Sequence, residues 1–200
     1  MATAKERILR SADTLFGEAG FDGTTTREIA EASGVNKALI HYHFASKDAL
    51  FQAVLDRYYD KLDQVLRVVL EEEGPLPDRF VRLIDAYTDF LRDNRNYSRM
   101  IQREVSGGRH VGDILARMVP PFQAGVALME RAFPSTREGE LSASQLLVSF
   151  YGMTVGYFAY GPVVEHLLGV DPFSEEGLAL RKRHLRRMLD IVLAEVSQHR

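Results

Sequence analysis

Apolar residues recur along the chain with the 3.6-residue period of an α-helix, and no segment alternates apolar and polar residues for more than a few positions. The first predicted helix covers about residues 3–19 and ends before Gly20. A capping box, Thr25-x-x-Glu28, predicts the start of the second helix, which ends near Gly34. The pattern therefore predicts an all-α protein.

Residues that typically start or end helices extend the all-α prediction to the rest of the chain. Asn36 is predicted to cap a very short third helix, and Ser46 a long fourth helix that breaks at Gly74-Pro75. The segment from Val111 to Phe133 is expected to kink or split at Pro120-Pro121, because proline lacks the amide that the helix requires. A second capping box is predicted at Ser142-x-x-Gln145.

These helices divide into a small N-terminal unit and a larger C-terminal one. We place the boundary inside the fourth helix, which gives residues 1–48 and 49–200. The first part contains three short helices in a helix-turn-helix arrangement, and the second contains the longer and more apolar helices.

The segment from Thr24 to Lys47 carries the most information about function. Its two short helices flank a turn that contains glycine, and no acidic side chain occurs from Ala32 to Lys47. A short helix of this kind can enter a major groove, where lysine donates to guanine edges and apolar side chains contact thymine methyl groups. The side chains suited to base edges are Lys37, Ala38 and Leu39, and those with donors for phosphates are Thr25, Thr26, Tyr42 and His43. The alternative is that these residues only cap helices and form a polar helix face.

The same region resembles the tetracycline-repressor (TetR) family of bacterial transcription regulators. The resemblance is carried by Thr24-Thr25-Thr26-Arg27-Glu28-Ile29-Ala30, Ser33-Gly34-Val35, Tyr42-His43-Phe44 and Ser46-Lys47-Asp48-Ala49-Leu50, and it covers roughly the first 55 residues. It implies phosphate contacts from Thr25, Thr26, Tyr42, His43 and Lys47, and base-edge contacts from Arg27, Lys37, Ala38 and Leu39. His41 stands where the family usually has tyrosine, and we include it among the candidate DNA-binding residues.

The eighth predicted helix is apolar on both of its sides. At 100° per residue, bulky residues such as Leu146 and Phe150 lie on one side, and small residues such as Gly152 and Gly156 lie on the other. A subunit of this size can cover only one of these sides with its own core, so we expect a homodimer in which the last helix packs beside the eighth. The predicted interface consists of Val148, Tyr151, Gly152, Val155, Gly156, Ala159, Leu185, Met188, Leu189 and Val192.

Aromatic and methionine side chains are frequent in the helices of the larger part. Such residues form the core by default, but members of the resembled family usually hold a small effector in a cavity among these helices. Three polar groups are candidates for orienting a mostly apolar effector: Arg103, Glu104 and His110. With the neighbouring apolar candidates, the predicted effector-binding residues are Tyr87, Phe90, Met100, Arg103, Glu104, His110, Phe122, Phe150 and Tyr157.

Composition and charge narrow the function further. The net charge is −3, so any DNA contact must come from a local patch, and the absence of cysteine fits a reducing cytoplasm. The basic run Arg181–Arg187 lies in an amphipathic helix and is interpreted as a solvated face rather than a second nucleic-acid patch. Residues 141–164 are uncharged but only mildly apolar, so no membrane insertion is expected.

No catalytic motif, metal-binding pattern or cofactor-binding loop occurs in the sequence, so we predict no catalytic residue, no metal and no cofactor. The predicted function is that of a cytoplasmic, homodimeric transcriptional regulator. In this interpretation it is a repressor that binds palindromic double-stranded operator DNA and is released by a small molecule. The alternatives are a helical protein-interaction module with no DNA role and a small helical enzyme.

Overall fold

The structure, a computed structural model, describes residues 2–71 and 73–198, the side chains of 68–71 excepted. These residues form ten α-helices and one 3-10 turn, Pro134–Thr136, with no β-strand among them. The helices are α1 (Ala4–Ala19), α2 (Thr26–Ser33), α3 (Lys37–His43), α4 (Lys47–Glu71), α5 (Leu76–Asp93), α6 (Arg95–Val105), α7 (Val111–Ala132), α8 (Ala143–Ala159), α9 (Gly161–Leu168) and α10 (Glu175–Gln198). The prediction of an all-α protein is confirmed.

The caps predicted for α2, α3 and α4 are present. Thr25 and Glu28 form a reciprocal capping box, in which the Thr25 amide donates to the Glu28 carboxylate at 2.7 Å and the Glu28 amide donates to the Thr25 hydroxyl at 3.2 Å. The Glu28 carboxylate accepts hydrogen bonds from the Thr25 backbone amide and, at 2.8 Å, from the Thr25 hydroxyl, and these two bonds lower the pKa of Glu28. Asn36 caps α3 through the Ala38 amide, and Ser46 caps α4 through the Ala49 amide.

Two details predicted for the later helices are absent. Helix α7 continues through Pro120-Pro121, so the predicted split does not occur, and the alternative of a kink stays a prediction. Ile114, before the two prolines, is fully buried, and Met129, after them, packs on the core of its unit. Ser142 stands at the start of α8, but its side chain makes no capping hydrogen bond and instead lies 3.4 Å from the Ser144 hydroxyl. Helix α9 follows α8 after a bend of 85°.

The chain divides into two compact units at different positions from the predicted boundary. The first unit contains residues 1–62 together with residues 94–111, and the second contains residues 63–93 and 112–200. The boundary after residue 48 is therefore corrected: helix α6, far along the chain, belongs to the same unit as the helix-turn-helix.

The first unit is built around apolar side chains of α1 and α4. Ile8, Phe16, Leu50 and Phe51 are fully buried, and Phe21, in the turn after α1, packs on the rings of Phe16 and Phe51. Burying aromatic side chains contributes most of the stabilisation that a unit of this size has available. The α1–α4 pair is thus the support on which α2 and α3 rest.

Helix α6 is fixed to this support by polar contacts. The Asp13 carboxylate of α1 accepts hydrogen bonds from the Tyr58 hydroxyl of α4 at 2.5 Å and from the Asn96 amide of α6 at 3.1 Å. Burial, together with the hydrogen bond to Asp13, raises the pKa of Tyr58. Gly17 lets α6 approach α1, because a Cβ atom at that position would lie 2.6 Å from the Asn96 side chain.

In the second unit, α10 packs along α5 and contacts α8. The core there consists of Phe133, Leu146, Leu189, Leu193 and Val196. Two of the basic residues of α10 pair with acids of α5: Lys182 with Asp89 at 2.6 Å, and Arg186 with Asp85. The basic run of α10 is thus partly neutralised within its own unit.

Within the described ranges, no single helix is both long and apolar enough to cross a membrane. The pair α8 and α9 meets the length and composition criteria only when its two helices are counted together.

Replacing Gly34 tests the turn that sets α3 against α2. Its φ of 63° lies in the left-handed region, which favours glycine. A Cβ atom at this position would meet nothing within 4 Å, so a larger side chain would be disfavoured by the backbone conformation and not by a clash. We expect Gly34→Ala to lower the free energy of unfolding by about 1 kcal/mol in urea titrations. Gly34→Asn, which tolerates this conformation better, is the control and should cost less. Equal stability of the alanine variant and the natural protein would contradict the assignment.

Candidate nucleic-acid interface

Buried apolar side chains hold helices α2 and α3 together. Ile29 and Ala30 of α2 and Ile40 of α3 are buried, as is Phe44 immediately after α3. The left-handed Gly34 ends α2, and the next amide, of Val35, donates to the Ala30 carbonyl at 3.1 Å. These contacts fix the angle between the two helices and leave the opposite side of α3 uncovered.

The uncovered side of α3 carries most of the predicted contact residues. Lys37, Ala38, His41 and Tyr42 are exposed, the Tyr42 side chain to 80%. Leu39 and His43 are half-buried, and the His43 ring packs edge-on against the Tyr42 ring at 5.1 Å. The helix therefore presents donors and small apolar groups together, which is the combination that base edges and phosphates require.

The predicted contacts on α2 lie at its first turn. The Thr25 hydroxyl takes part in the capping box, and Thr26 is half-buried beside it. Arg27 is exposed and pairs with Glu31 one turn later at 3.0 Å. An exposed pair of this kind is weak, so Arg27 can exchange its carboxylate partner for a nucleic-acid acceptor at little cost.

Lys47 differs from the other predicted contacts, because its side chain points into the first unit. Its ammonium group donates to the carbonyl oxygens of Phe21 at 2.9 Å and Thr24 at 3.0 Å, and lies 4.1 Å from the centroid of the Phe21 ring. No local pattern in the sequence signals these contacts, since they join residues more than 20 positions apart.

The nine predicted effector residues are divided between the two units. Met100, Arg103, Glu104 and His110 belong to the first unit, where Arg103 donates to the Glu18 carbonyl at 2.7 Å and the buried Glu104 carboxylate accepts from the His110 amide at 2.9 Å. The His110 ring is buried against Phe21 and Phe51. Arg103, Glu104 and His110 thus hold α6 and the turn after it on the first unit, where Met100 is also buried. These four residues therefore lie outside the second unit, where the other predicted effector residues are found.

The other five predicted effector residues lie in the second unit. Tyr87 stacks on Phe90 and on Tyr151, and Phe122 contacts Tyr151 edge-on at 5.3 Å. Phe150 packs against the core, and the buried Tyr157 hydroxyl donates to the Gly177 carbonyl at 3.0 Å. Of these five residues, Tyr87 and Phe122 are half-buried and do not belong to the core of Phe133, Leu146, Leu189, Leu193 and Val196 or to the residues packed against it.

The predicted interface residues also separate into two groups. Leu185 and Leu189 are buried by their own unit, so the prediction is corrected for these two. Val192 packs on the core and Tyr151 contacts Tyr87 and Phe122, but both side chains are only half-buried. Met188 is half-buried. The residues left on the outer side of α8 are Val148, Gly152, Val155, Gly156 and Ala159, of which Val148 is 63% exposed.

Metal chemistry has no support in the described part of the chain, which contains no group of three or more His, Cys, Asp or Glu side chains placed to hold an ion. A shallow hollow on α9 is lined by Pro162, Glu165, His166 and Gly169, and none of these is a predicted site residue.

Comparison with known proteins agrees with the geometry of the first unit. Residues 8–54 match the family of bacterial regulatory proteins described as the tetR family. Residues 8–54 thus carry the DNA-binding region of a TetR-family regulator. The matched residues contain α2, α3 and the start of α4, which are the elements that build the candidate interface.

Individual TetR-family relatives extend the match beyond these residues. The chain is 28% identical over 184 residues to the HTH-type transcriptional repressor Rv3405c of Mycobacterium tuberculosis, which covers 90% of this chain and 87% of that protein. It is 28% identical over 106 residues to the probable HTH-type transcriptional regulator YttP of Bacillus subtilis, and there spans only 51% of that protein. A solved regulator from Aquifex aeolicus shares the fold, with a TM-score of 0.73 at 20% identity over 95% of this chain and 99% of that one.

The TetR-family protein is a DNA-binding transcriptional regulator. Members of the family bind operator DNA and act as dimers. The relatives are named as regulators and not as enzymes.

Proposed function

We propose that this protein is a repressor that binds a palindromic operator as a homodimer and is released by a small, mostly apolar effector. The observation that carries the DNA part of the proposal is the uncovered side of α3, where Lys37, Ala38, His41 and Tyr42 are exposed together. The segment from Ala32 to Lys47 contains no carboxylate to oppose a phosphate backbone.

The roles on this surface follow from what each side chain can donate. Lys37, in the first turn of α3, is suited to guanine O6 and N7, and Ala38 and Leu39 are suited to thymine methyl groups. Tyr42, His43, Thr25 and Thr26 lie at either end of the helix pair and are suited to phosphates. Arg27 and His41 complete the proposed surface, and their exposure allows contact with either kind of group.

The homodimer is proposed from the apolar surface that the second unit leaves uncovered. On α8, Val148 is exposed, and a Cβ atom at Gly152 or Gly156 would meet nothing within 4 Å. On α10, Leu180, His184, Arg187 and Ile191 are exposed at spacings of four, three and four residues, which places them on one side of that helix. Ile191 is 49% exposed although it is fully apolar.

A second copy of the chain is the partner that fits this surface. The small residues of α8 would let another helix approach closely, and burial of Val148 and Ile191 would remove exposed apolar area from water. A dimer also supplies two reading helices, which must be separated by about 34 Å, one helical turn of DNA, to bind two half-sites.

The effector site is proposed at the aromatic group of Tyr87, Phe122 and Tyr151. These side chains come from α5, α7 and α8, and none is completely buried. Burial raises the pKa of the Tyr151 hydroxyl, which shares a hydrogen bond with Tyr87. Apolar walls with a few polar groups are typical of small-molecule sites, and a ligand that displaced one ring could change the packing of three helices.

Substitutions on α3 should separate base contacts from phosphate contacts, because only base contacts carry sequence information. We expect Lys37→Ala to lose about 1 to 3 kcal/mol on the preferred site and little on random duplex. Tyr42→Phe, which removes only a hydroxyl, should weaken both to a similar extent. Fluorescence titrations with a duplex selected from a randomised palindromic library would measure this, and an unchanged site preference in Lys37→Ala would rule out α3 as the reading helix.

A charged residue on the outer side of the second unit should prevent the dimer. We expect Gly156→Arg and Ile191→Glu to sediment at the monomer mass of 22.6 kDa in analytical ultracentrifugation and to lose cooperative binding to two half-sites. Leu115→Glu on α7 is the matched control, because Leu115 is 48% exposed and Ile191 is 49% exposed. If both test variants remain dimeric and bind DNA fully, the interface lies elsewhere.

Two tyrosine variants test the effector site. A compound that binds the natural protein raises its thermal midpoint, and we expect Tyr151→Phe to reduce the affinity derived from that shift by about tenfold. Tyr157→Phe is the control: it removes the hydrogen bond to the Gly177 carbonyl and should lower stability without changing the ligand-induced shift. The proposal fails if no member of a diverse apolar compound set stabilises the protein, or if only Tyr157→Phe impairs the response.

A further inference from the structure

The ammonium group of Lys47 has all of its donors directed into the protein. A lysine ammonium carries three N–H groups and no acceptor. Two of them are used by the carbonyl oxygens of Phe21 and Thr24, at 2.9 Å and 3.0 Å, and the ammonium nitrogen also lies 4.1 Å from the centroid of the Phe21 ring, in a cation–π contact. This arrangement leaves no donor for a phosphate.

These two carbonyl groups mark the ends of the turn that leads into α2. The Thr24 amide donates back to the Phe21 carbonyl at 3.3 Å, and the Thr24 hydroxyl donates to the carbonyls of Gly20 and Leu15 at 2.8 Å and 3.1 Å. Thr24 is buried, and the next residue is Thr25, which caps α2. Lys47 therefore fastens the N-terminus of α2 to the first residue of α4.

We propose that Lys47 is a positioning residue of the DNA interface and not a phosphate contact. This inference rests on the proposed interface, because the group that Lys47 places is the first turn of α2 with Thr25 and Thr26. Without the ammonium group the turn loses a charge-assisted hydrogen bond at each end, and the hydroxyls at the start of α2 lose their fixed distance from α3.

Arginine cannot take over this role, although it keeps the charge. The donors of a guanidinium lie in one plane, whereas the three contacts of Lys47 diverge from a single nitrogen toward two carbonyls and one ring face. At a phosphate contact, by contrast, arginine is as good a donor as lysine. Lys47→Arg thus separates the two roles while preserving the electrostatic attraction to DNA.

The experiment combines DNA binding at several salt concentrations with amide hydrogen exchange of the DNA-free protein. In binding to the selected duplex, we expect Lys47→Met and Lys47→Arg each to weaken affinity by about tenfold, with the slope of log affinity against log salt unchanged. In hydrogen exchange, the amides of residues 21–29 should exchange at least about tenfold faster in both variants.

Two controls make the result specific. Lys37→Met, the same substitution on the exposed side of α3, should lose affinity mainly for the selected duplex and leave exchange in residues 21–29 unchanged. Val54→Ala removes buried volume from α4 and tests whether loss of stability alone impairs binding, since Val54 is buried far from the turn in sequence. We expect its DNA affinity to equal that of the natural protein.

The inference is overturned if Lys47→Arg retains full affinity while Lys47→Met lowers the salt slope by about 0.9, because that is the behaviour of a phosphate contact. It is also overturned if exchange in residues 21–29 is unchanged in both Lys47 variants. If the natural protein selects no duplex at all, the proposed function fails, and the exchange measurement still decides whether Lys47 holds the turn.

Discussion

The packing of the Phe21 ring is the interaction on which the DNA-binding unit depends. Phe21 is buried against Phe16 of α1, Phe51 of α4 and His110 of the turn before α7, with ring centroids 4.5 Å to 6.0 Å apart. Aromatic pairs of this kind contribute about 0.5 to 1.5 kcal/mol each beyond the area they bury. One side chain thus joins three segments that are distant in sequence, and the turn that contains it leads directly into α2.

The same cluster explains why two lysines in the helix-turn-helix region have opposite environments. Lys37 begins α3 on the side that no other element of its unit covers. Lys47 begins α4, where the backbone of the α1–α2 turn and the Phe21 ring lie within reach of its ammonium group. Both residues are lysines close to the helix-turn-helix, so neither residue type nor position in the sequence distinguishes Lys37 from Lys47. The difference arises from the element that each lysine starts and from what packs against it.

The helix-turn-helix could be predicted because its signals are local in the sequence. Contacts between residues distant in sequence could not be predicted. The capping box of Thr25 and Glu28 and the left-handed Gly34 act within four residues, so the sequence alone specifies them. The attachment of α6 to α1 depends on Asp13 meeting Asn96, which are 83 positions apart, and helical periodicity contains no information about such a pair. The same limit explains why Leu185 and Leu189 are predicted at an interface although their own unit buries them: α10 has apolar residues on more than one side, and periodicity does not say which side faces the core.

The pairing of charges between α5 and α10 accounts for the surface that remains on the second unit. Three successive ion pairs connect these two antiparallel helices: Arg92 with Glu175, Asp89 with Lys182, and Asp85 with Arg186. Each ion pair is partly exposed and contributes little stability, but together the three pairs fix the register of α10 along α5. That register turns Leu185 and Leu189 inward and Ile191 outward. The apolar residues of α10 thus divide into those buried within the chain, such as Leu185 and Leu189, and those that stay exposed on the second unit, such as Ile191.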